Sequence, residues 1–514
     1  MKTPDQKMTM TTADYMTAAM QAHQEGRSSE AASGYARVLE LEPDNMRALR
    51  LSAILAREQG RIEFALSALT RATELQPDAA DAHAELGLTQ MYIGELDAAE
   101  DSLRTAHGLT PNSIDILTNL GALLQHRGHL HAAIELYRQV LEQDANETAV
   151  HCNLIKALSE IGDFDSALAE TTHAEQRDKS FQAQAARAAV LIDAQEFSEA
   201  HAILDRALMQ ETMDDIGWVN LAFCCLQLDQ TEEACINLQR ALEKNPHNAR
   251  AVADLINCYS RLGRHQDATD LGMQFLSHFP GERLIVGSLA LALDNAGQHA
   301  AAREMSDYEQ LVQIHDWADT NDTALEALNQ ELTRSLEANP SLIRNPISKA
   351  TFGGTQTGEL NLDNGQAWRI FGSEADKSVR KATDMYRAAG LSAHPVMQPA
   401  GQSWSLRAWG TLLESGGYQS PHMHPLAWLS AVYYVALPKD MGADGDNAGW
   451  LEFGAIPDHY FSRNAPTTKR VEPKEGRLII FPSWIWHRTL PFTSPSKRIS
   501  VAFDVMPRSK LRTL

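Results

Sequence analysis

The stretch AHAELGLTQMYIGELDAAEDSLRTAHGL, residues 82–109, decides the fold of the first part of the chain. It reads as two helical stretches that meet at Gly94, and glycine is favoured where a helix ends in a left-handed residue. Ala99, five residues later, presents only a methyl group, so the two helices can approach closely. The stretch therefore predicts a pair of closely packed helices.

The same unit recurs with a period of 34 residues through most of the first 313 residues. The turn glycines are Gly26, Gly60, Gly94, Gly128, Gly162, Gly263 and Gly297. Gln195 and Asp229 fill the turn position between them, after one step of 33 residues. Alanine follows this position by five residues in every unit, and proline follows it by seventeen in several units, where it ends the second helix. Such units bury their apolar faces on their neighbours, which predicts a superhelical solenoid with a concave groove.

This pattern of glycine, alanine and proline resembles the tetratricopeptide repeat (TPR), over roughly residues 12–313 and about nine units. The resemblance implies an all-α solenoid that binds a peptide or protein segment in its groove. A spacer or a self-association module is the alternative, because the repeats alone do not name a ligand.

The period stops after Gly297, and the composition changes. A bridging helix is predicted near 321–338, and from about residue 400 short apolar runs alternate with turn residues, which is typical of strands. These runs are SWSLRAWGTLL, AWLSAVYYVAL, GWLEFGA, GRLIIFPSWIW and RISVAFDVM. We expect a TPR domain at 1–313, a linker at 314–344, and an antiparallel barrel or sandwich with flanking helices at 345–514.

The candidate chemistry begins in SPHMHPLAWLSAVYYVALP, residues 420–438. If this stretch is a strand, His422 and His424 point to one side of it. His487 ends a later apolar run, and Arg498 and Ser500 follow with the same two-residue spacing. Non-haem iron oxygenases hold Fe(II) with three side chains on one face. An arginine beyond the last of these ligands can pair with the far carboxylate of 2-oxoglutarate.

Residues 345–507 resemble the family of 2-oxoglutarate–Fe(II) oxygenases found in bacteria and phages. The matching stretches are NPISKATFGGTQTG, SW, HMHPLAWLSAVYYV, PKEGRLIIFPSWIWH and RISVAFD. The resemblance implies a double-stranded β-helix (jelly-roll) that uses Fe(II), 2-oxoglutarate as cosubstrate and O2. It assigns the metal to His422, His424 and His487, and it assigns 2-oxoglutarate to Arg498 and Ser500, with Tyr434 as a further contact.

Position 424 departs from the usual pattern, in which the second ligand is Asp or Glu. All three histidines bind the metal in one interpretation. In another, a carboxylate such as Glu452 or Asp458 completes the site beside one of His422 and His424. In a third, the protein supplies only two ligands.

Composition narrows the functional classes. The 514 residues carry a formal net charge of −22, which argues against nucleic acid or an anionic membrane as the main partner. The N-terminal stretch lacks the apolar region of a signal peptide, and the five cysteines show no CxxC spacing, so we expect a cytoplasmic protein.

The leading functional hypothesis is a 2-oxoglutarate-dependent hydroxylase that recruits a peptide or protein through its repeats. The alternatives are a three-histidine iron dioxygenase that does not use 2-oxoglutarate, and a non-catalytic TPR adaptor.

Overall fold

A computed structural model describes residues 10–177, 181–208, 214–317, 322–347, 349–397, 403–441 and 447–507. A helical solenoid takes up most of these residues, and a curled antiparallel sheet follows it. No helix among these residues is long and apolar enough to cross a membrane.

Consecutive pairs of helices form the repeats. Their bounds are α1 (Thr12–Gln24), α2 (Ser28–Leu41), α3 (Met46–Glu58), α4 (Ile62–Leu75), α5 (Ala80–Tyr92), α6 (Leu96–Leu109), α7 (Ile114–His126), α8 (Leu130–Gln143), α9 (Thr148–Ile161), α10 (Phe164–Arg177), α11 (Phe181–Asp193), α12 (Phe197–Leu208), α13 (Asp215–Gln227), α14 (Thr231–Lys244), α15 (Ala249–Arg261), α16 (His265–His278), α17 (Arg283–Asn295) and α18 (His299–Met305). The turn residue of every unit has a left-handed backbone, with φ between 59° and 83°. Gln195 and Asp229 adopt this conformation as well, although a side chain makes it less favourable there.

The alanine that follows each turn is buried, as its small side chain predicts. Its exposed fraction is 0% in the first eight units and 5% at Ala302 in the last one. Close approach of the two helices extends to Gly87 on α5, where an added Cβ would lie 2.7 Å from Leu103 on α6. The two helices of each pair therefore pack closely at positions occupied by alanine or glycine.

The second part of the chain combines helices with a sheet. Its elements are α19 (Tyr308–Leu311), β1 (Gln313–Asp316), α20 (Asp322–Glu337), β2 (Ile343–Arg344), β3 (Thr351–Gln356), α21 (Gln366–Ala388), β4 (Trp404–His422), β5 (Leu429–Ala436), β6 (Leu451–Phe453), β7 (Lys469–Val471), β8 (Arg477–Pro482), β9 (His487–Thr489) and β10 (Arg498–Pro507). Two 3-10 turns, Leu391–Ala393 and Pro395–Met397, follow α21.

Every pairing among these strands is antiparallel, and the main order is β1-β8-β5-β10-β4-β9-β6-β7. The long strand β4 pairs first with β10 and then, beyond a register shift, with β9, so it curls the sheet. β2 and β3 extend the sheet from β4. The bridging helix is present as α20, and the five apolar runs contribute to β4, β5, β6, β8 and β10. The pairing partners β1, β2, β3, β7 and β9 are short, and the apolar pattern does not reveal them.

The described residues form two compact units. One contains residues 10–127 and 131–153. The other contains residues 128–130 and 154–507, so the later repeats and the sheet belong to one unit. Its main hydrophobic core runs from Val286 on α17 through α20 and α21 to Trp428 and the inner strands. The predicted boundaries at residues 313 and 344 mark changes of element type and stay a prediction as domain limits.

Candidate functional site

Three histidine rings meet at one end of the sheet. His422 is the last residue of β4, and it pairs with His487, the first residue of β9. The His422 ring centroid lies 4.2 Å from that of His487 and 5.1 Å from that of His424, and the His424 and His487 centroids are 5.3 Å apart. One ring nitrogen of each histidine lies within 4.8 Å of the other two, so the group can hold one metal ion.

One nitrogen of each ring is already engaged. Nδ1 of His422 donates to the Ser420 carbonyl at 2.7 Å, and Nδ1 of His487 donates to the Ile485 carbonyl at 3.0 Å. Nδ1 of His424 lies 3.0 Å from the Asp504 carboxylate. A carbonyl oxygen can only accept, so these rings carry their proton on Nδ1 and leave the Nε2 lone pair available. This is the tautomer that a metal ligand needs.

Burial keeps two of the imidazoles neutral. Burial, and next to it the neighbouring His424, lowers the pKa of His422 to about 3. Burial and the other two histidines hold the pKa of His487 well below its ordinary value. At neutral pH both rings can therefore offer a lone pair to a cation.

The prediction that His422 and His424 lie on one strand was wrong in one respect. β4 ends at His422, and His424 lies in the following turn, where its backbone N–H donates to the Ser483 carbonyl at 2.9 Å. Pro425 has no N–H with which to continue a strand ladder. Met423 packs towards α17, because an added Cβ at Gly287 would meet its methyl at 3.0 Å.

Asp504 is the residue that the sequence interpretation missed. It lies on β10, it contacts Nδ1 of His424, and it also accepts a hydrogen bond from Ser430 at 2.7 Å. Its position is detectable in retrospect, because Arg498, Ser500 and Asp504 are separated by even numbers of residues and so share one strand face. A carboxylate behind a histidine fixes the ring and makes it a stronger metal ligand.

Arg498 is fully buried on that same face of β10, with 0% of its surface exposed. Its Nε donates to the Gly449 carbonyl at 3.2 Å, Nη1 lies 3.4 Å from the Ser500 hydroxyl, and the guanidinium carbon lies 4.9 Å from the centre of the Tyr434 ring. Among the described residues no carboxylate pairs with it. Burial lowers the pKa of Arg498, but an arginine stays charged in proteins. A buried cation of this kind favours an anionic ligand.

Polar groups without a hydrogen bond surround Ser500. Thr411 on β4 and Tyr434 on β5 are its register partners, so their side chains point to the same face. Within the described residues, the hydroxyls of Thr411 and Tyr434 and Nη2 of Arg498 make no hydrogen bond of acceptable geometry, and neither does Nε2 of His424. Only Ser500 and the small Ala502 separate Arg498 from Asp504 on this face. Arg498, Thr411 and Tyr434 thus offer hydrogen-bond donors that an anionic group could use.

Aromatic rings form the walls of the histidine group. Trp409 stacks on His424 with centroids 5.5 Å apart and an interplanar angle of 14°. Phe481 lies edge-on to His487 at 4.6 Å, and Phe453 lies at 6.4 Å from the same ring. These rings exclude water from one side of the histidines and limit how far the rings can turn.

The two alternative carboxylates lie elsewhere. Glu452 accepts from Arg470 at 2.7 Å and from Arg488 at 2.6 Å, and its strand neighbour Phe453 is the residue that faces His487. Its carboxylate therefore lies on the opposite face of β6. Asp458 is exposed and does not belong to the group of potential ligands around His422.

Comparison with known protein families gives matches along most of the chain. Residues 407–504 match the family described as "Putative 2OG-Fe(II) oxygenase". Residues 52–114 and 114–147 match tetratricopeptide repeat families, and residues 157–289 match the N-terminal TPR repeats region of Psidin. A search of curated protein sequences found no match.

Several solved structures resemble part of the chain at low identity. A tetratricopeptide repeat protein from Parabacteroides merdae is 14% identical, with 48% of this chain and 97% of that chain covered and a TM-score of 0.41. MamA is 24% identical, covering 33% and 92% of the two chains, with a TM-score of 0.30. YrrB, described as a TPR protein with an unusual peptide-binding site, is 18% identical, covering 43% and 97%, with a TM-score of 0.29.

Geometry and family matches agree on which part of the chain carries each feature. The residues from Arg407 to Asp504 include the three histidines, Arg498 and the strands that hold them. The chain thus contains tetratricopeptide repeats in its N-terminal region, and its residues 407–504 match the family described as "Putative 2OG-Fe(II) oxygenase".

Proposed function

We propose that the protein is an Fe(II)- and 2-oxoglutarate-dependent dioxygenase that hydroxylates a peptide or protein segment recruited by its repeats. We also propose that its curled sheet is a double-stranded β-helix. The observation that carries the activity is Arg498, a buried cation on the strand face that also bears Asp504 and through it contacts His424. Arg498 has no carboxylate partner among the described residues, and a dicarboxylate cosubstrate would supply one.

The residues of the chain would bind the metal and 2-oxoglutarate and orient them. His422, His424 and His487 would hold the metal through Nε2, while the Ser420 and Ile485 carbonyls and Asp504 keep their Nδ1 protons in place. Arg498 and Ser500 would hold the far carboxylate of 2-oxoglutarate, and the Tyr434 hydroxyl is available as a further donor.

Iron, 2-oxoglutarate and O2 together supply oxidative decarboxylation coupled to oxidation of a C–H bond. The aromatic walls formed by Trp409, Phe453 and Phe481 keep water away from that chemistry. The TPR matches support recruitment of a peptide or protein segment, and a binding module in the same chain raises the local concentration of its target.

The test is an anaerobic titration of the full chain with Fe(II) and 2-oxoglutarate. We expect the weak visible charge-transfer band of the chelate, and succinate release after O2 is admitted. The absence of both the band and succinate with every substrate pool tried would contradict the proposal.

A three-histidine dioxygenase that does not use 2-oxoglutarate is the second candidate, favoured by histidine at position 424. Arg498→Ala separates the two, because it should abolish 2-oxoglutarate binding under our proposal and leave O2 chemistry largely intact under the alternative. Arg387→Ala, at an exposed arginine of α21, is the matched control. A non-catalytic adaptor would take up no iron when the protein is purified without air.

A further inference from the structure

The loop between β6 and β7 is held by side-chain amides of two repeat helices. Asn257 on α15 donates to the His459 carbonyl at 3.0 Å and accepts from the Phe461 N–H at 2.8 Å. Asn295 on α17 donates to the Phe461 carbonyl at 3.0 Å and accepts from the Arg463 N–H at 2.8 Å. Each amide thus pairs with a donor and an acceptor of the loop backbone, two residues apart.

These hydrogen bonds engage the backbone of the loop and not its side chains. Asn257 is 5% exposed and Asn295 is 0% exposed, so both amides are buried against the loop. A third contact has the same character, since Arg261 on α15 donates to the His459 carbonyl at 3.0 Å. Backbone pairing of this kind gives affinity to any extended segment, as strand addition does at a sheet edge.

Side chains of the loop contact both the repeat helices and Trp486. His459 contacts Phe223 on α13, with ring centroids 6.4 Å apart, and Phe461 stacks on His265 of α16 at 6.3 Å. Tyr460 contacts Trp486, the residue before His487, with ring centroids 4.9 Å apart. Residues 459–463, which begin in a turn closed by the Tyr460 N–H and the Pro457 carbonyl, therefore lie between these repeat helices and Trp486, beside the candidate metal site.

We propose that the last three repeat units form a binding site for a peptide backbone, and that the chain fills this site itself with residues 459–463. Phe223, Asn257 and Asn295 come from the first helices of those three successive units, α13, α15 and α17, so each unit contributes at least one contact to the loop. An outside segment must displace the loop before it binds there. The inference goes beyond the dioxygenase proposal, because it depends on neither iron nor 2-oxoglutarate.

Amide hydrogen exchange on the full chain tests the internal contact. In the variant Asn257→Ala/Asn295→Ala we expect the amides of Phe461 and Arg463 to exchange at least about tenfold faster, since their acceptors are gone. Gln274→Ala, at an exposed amide of α16, is the control and should leave the loop protected. Equal protection of the loop in the double variant would overturn the proposal.

Binding in trans tests the site itself. The probe is a fluorescent peptide with the sequence of residues 456–466, IPDHYFSRNAP. We expect it to bind the variant Phe461→Pro/Arg463→Pro, whose loop has lost the two N–H donors to Asn257 and Asn295, at least about tenfold more tightly than the parent. Adding Asn257→Ala/Asn295→Ala should remove that binding. Hydrogen exchange verifies that the loop is released. Equal binding to the parent, or no binding to a verified released variant, would overturn the proposal.

Discussion

The contact between His424 and Asp504 sets the direction of the third imidazole. Asp504 is held in turn by the Ser430 hydroxyl at 2.7 Å, and Trp409 covers the His424 ring. The His424 ring is thus held by Asp504 at Nδ1 and by Trp409 at its face, and its backbone is held in the turn. In the usual pattern the second metal ligand is itself a carboxylate. In our interpretation Asp504 retains this negative charge, but it contacts the ligand His424 and not the metal.

Asp504→Asn should weaken metal binding by about 10- to 100-fold, because the amide keeps the shape of the carboxylate but not its charge. Calorimetric titration with Mn²⁺ under anaerobic conditions measures the effect. Asp384→Asn, at an exposed residue of α21, is the control. An unchanged Kd in Asp504→Asn would mean that this carboxylate does not tune the site.

Glu452→Gln should leave metal affinity unchanged and lower the free energy of unfolding by on the order of 2 kcal/mol. Glu452 is 1% exposed and accepts from both Arg470 and Arg488, so the loss of its charge leaves two cations without their partner. The cost is moderate because both arginines are partly exposed. Chemical denaturation and the Mn²⁺ titration give the two quantities separately. A loss of metal affinity without a loss of stability would indicate that Glu452 is a metal ligand.

Individual residues were predictable where the signal is local. His422 and His424 are two residues apart, as are Arg498 and Ser500, and the left-handed turns follow from glycine at a fixed period. Asp504 was not predicted because its partner His424 is 80 residues away in sequence. The placement of Glu452 was also hidden, because a three-residue strand is too short to show which face is which.

At the level of elements, the edge strand β1 carries a buried group that is sensitive to pH. His315 is 6% exposed and pairs with Leu478 on β8, and its Nε2 has no hydrogen-bond partner among the described residues. Burial, with a smaller contribution from Lys381, lowers the pKa of His315 to about 4. The folded state thus favours the neutral ring, so this strand is more stable above the ordinary histidine pKa than below it.

His315→Gln should reduce the acid sensitivity of the fold. Between pH 7 and pH 4.5 this histidine becomes protonated in the unfolded state but stays largely neutral in the folded state. The free energy of unfolding of the parent therefore falls by about 2–3 kcal/mol. The loss begins near pH 6.5 and is complete below about pH 4. Thermal unfolding at both pH values should show a drop smaller by several degrees in the variant. His278→Gln, at an exposed histidine of α16, should behave as the parent does.

At the scale of the whole molecule, the sheet depends on the end of the solenoid. Trp484 donates to the Met305 carbonyl at 3.1 Å, His394 lies 3.0 Å from the Glu304 carbonyl, and Tyr386 donates to the Leu311 carbonyl at 2.7 Å. β1, which immediately follows these residues, pairs with β8. The residues before the predicted boundary at 345 therefore satisfy buried polar groups of the residues after it.

A fragment of residues 345–514 should fail to unfold cooperatively, because those partners and β1 are missing. A fragment that begins at Thr148, the start of α9, retains them and should melt cooperatively. Near-ultraviolet circular dichroism and thermal unfolding compare the two. A sharp transition in the shorter fragment would show that the sheet folds without the repeats.

The architecture of repeats followed by a strand-rich region was predictable because each part has its own period in the sequence. The internal peptide contact was not, because Asn257 and Asn295 look like any asparagine on a helix. Their partners lie 166 to 204 residues downstream, and no local pattern joins them.

That separation has a consequence during synthesis. Asn295 leaves the ribosome 168 residues before Arg463, which at 5–20 residues per second is a delay of roughly 8 to 34 s. Through this interval the side-chain amides of Asn257 and Asn295 lack the loop backbone that they bind in the folded chain. Under our proposal another peptide backbone could occupy these amides first, and slower translation should lengthen the time in which such competition is possible.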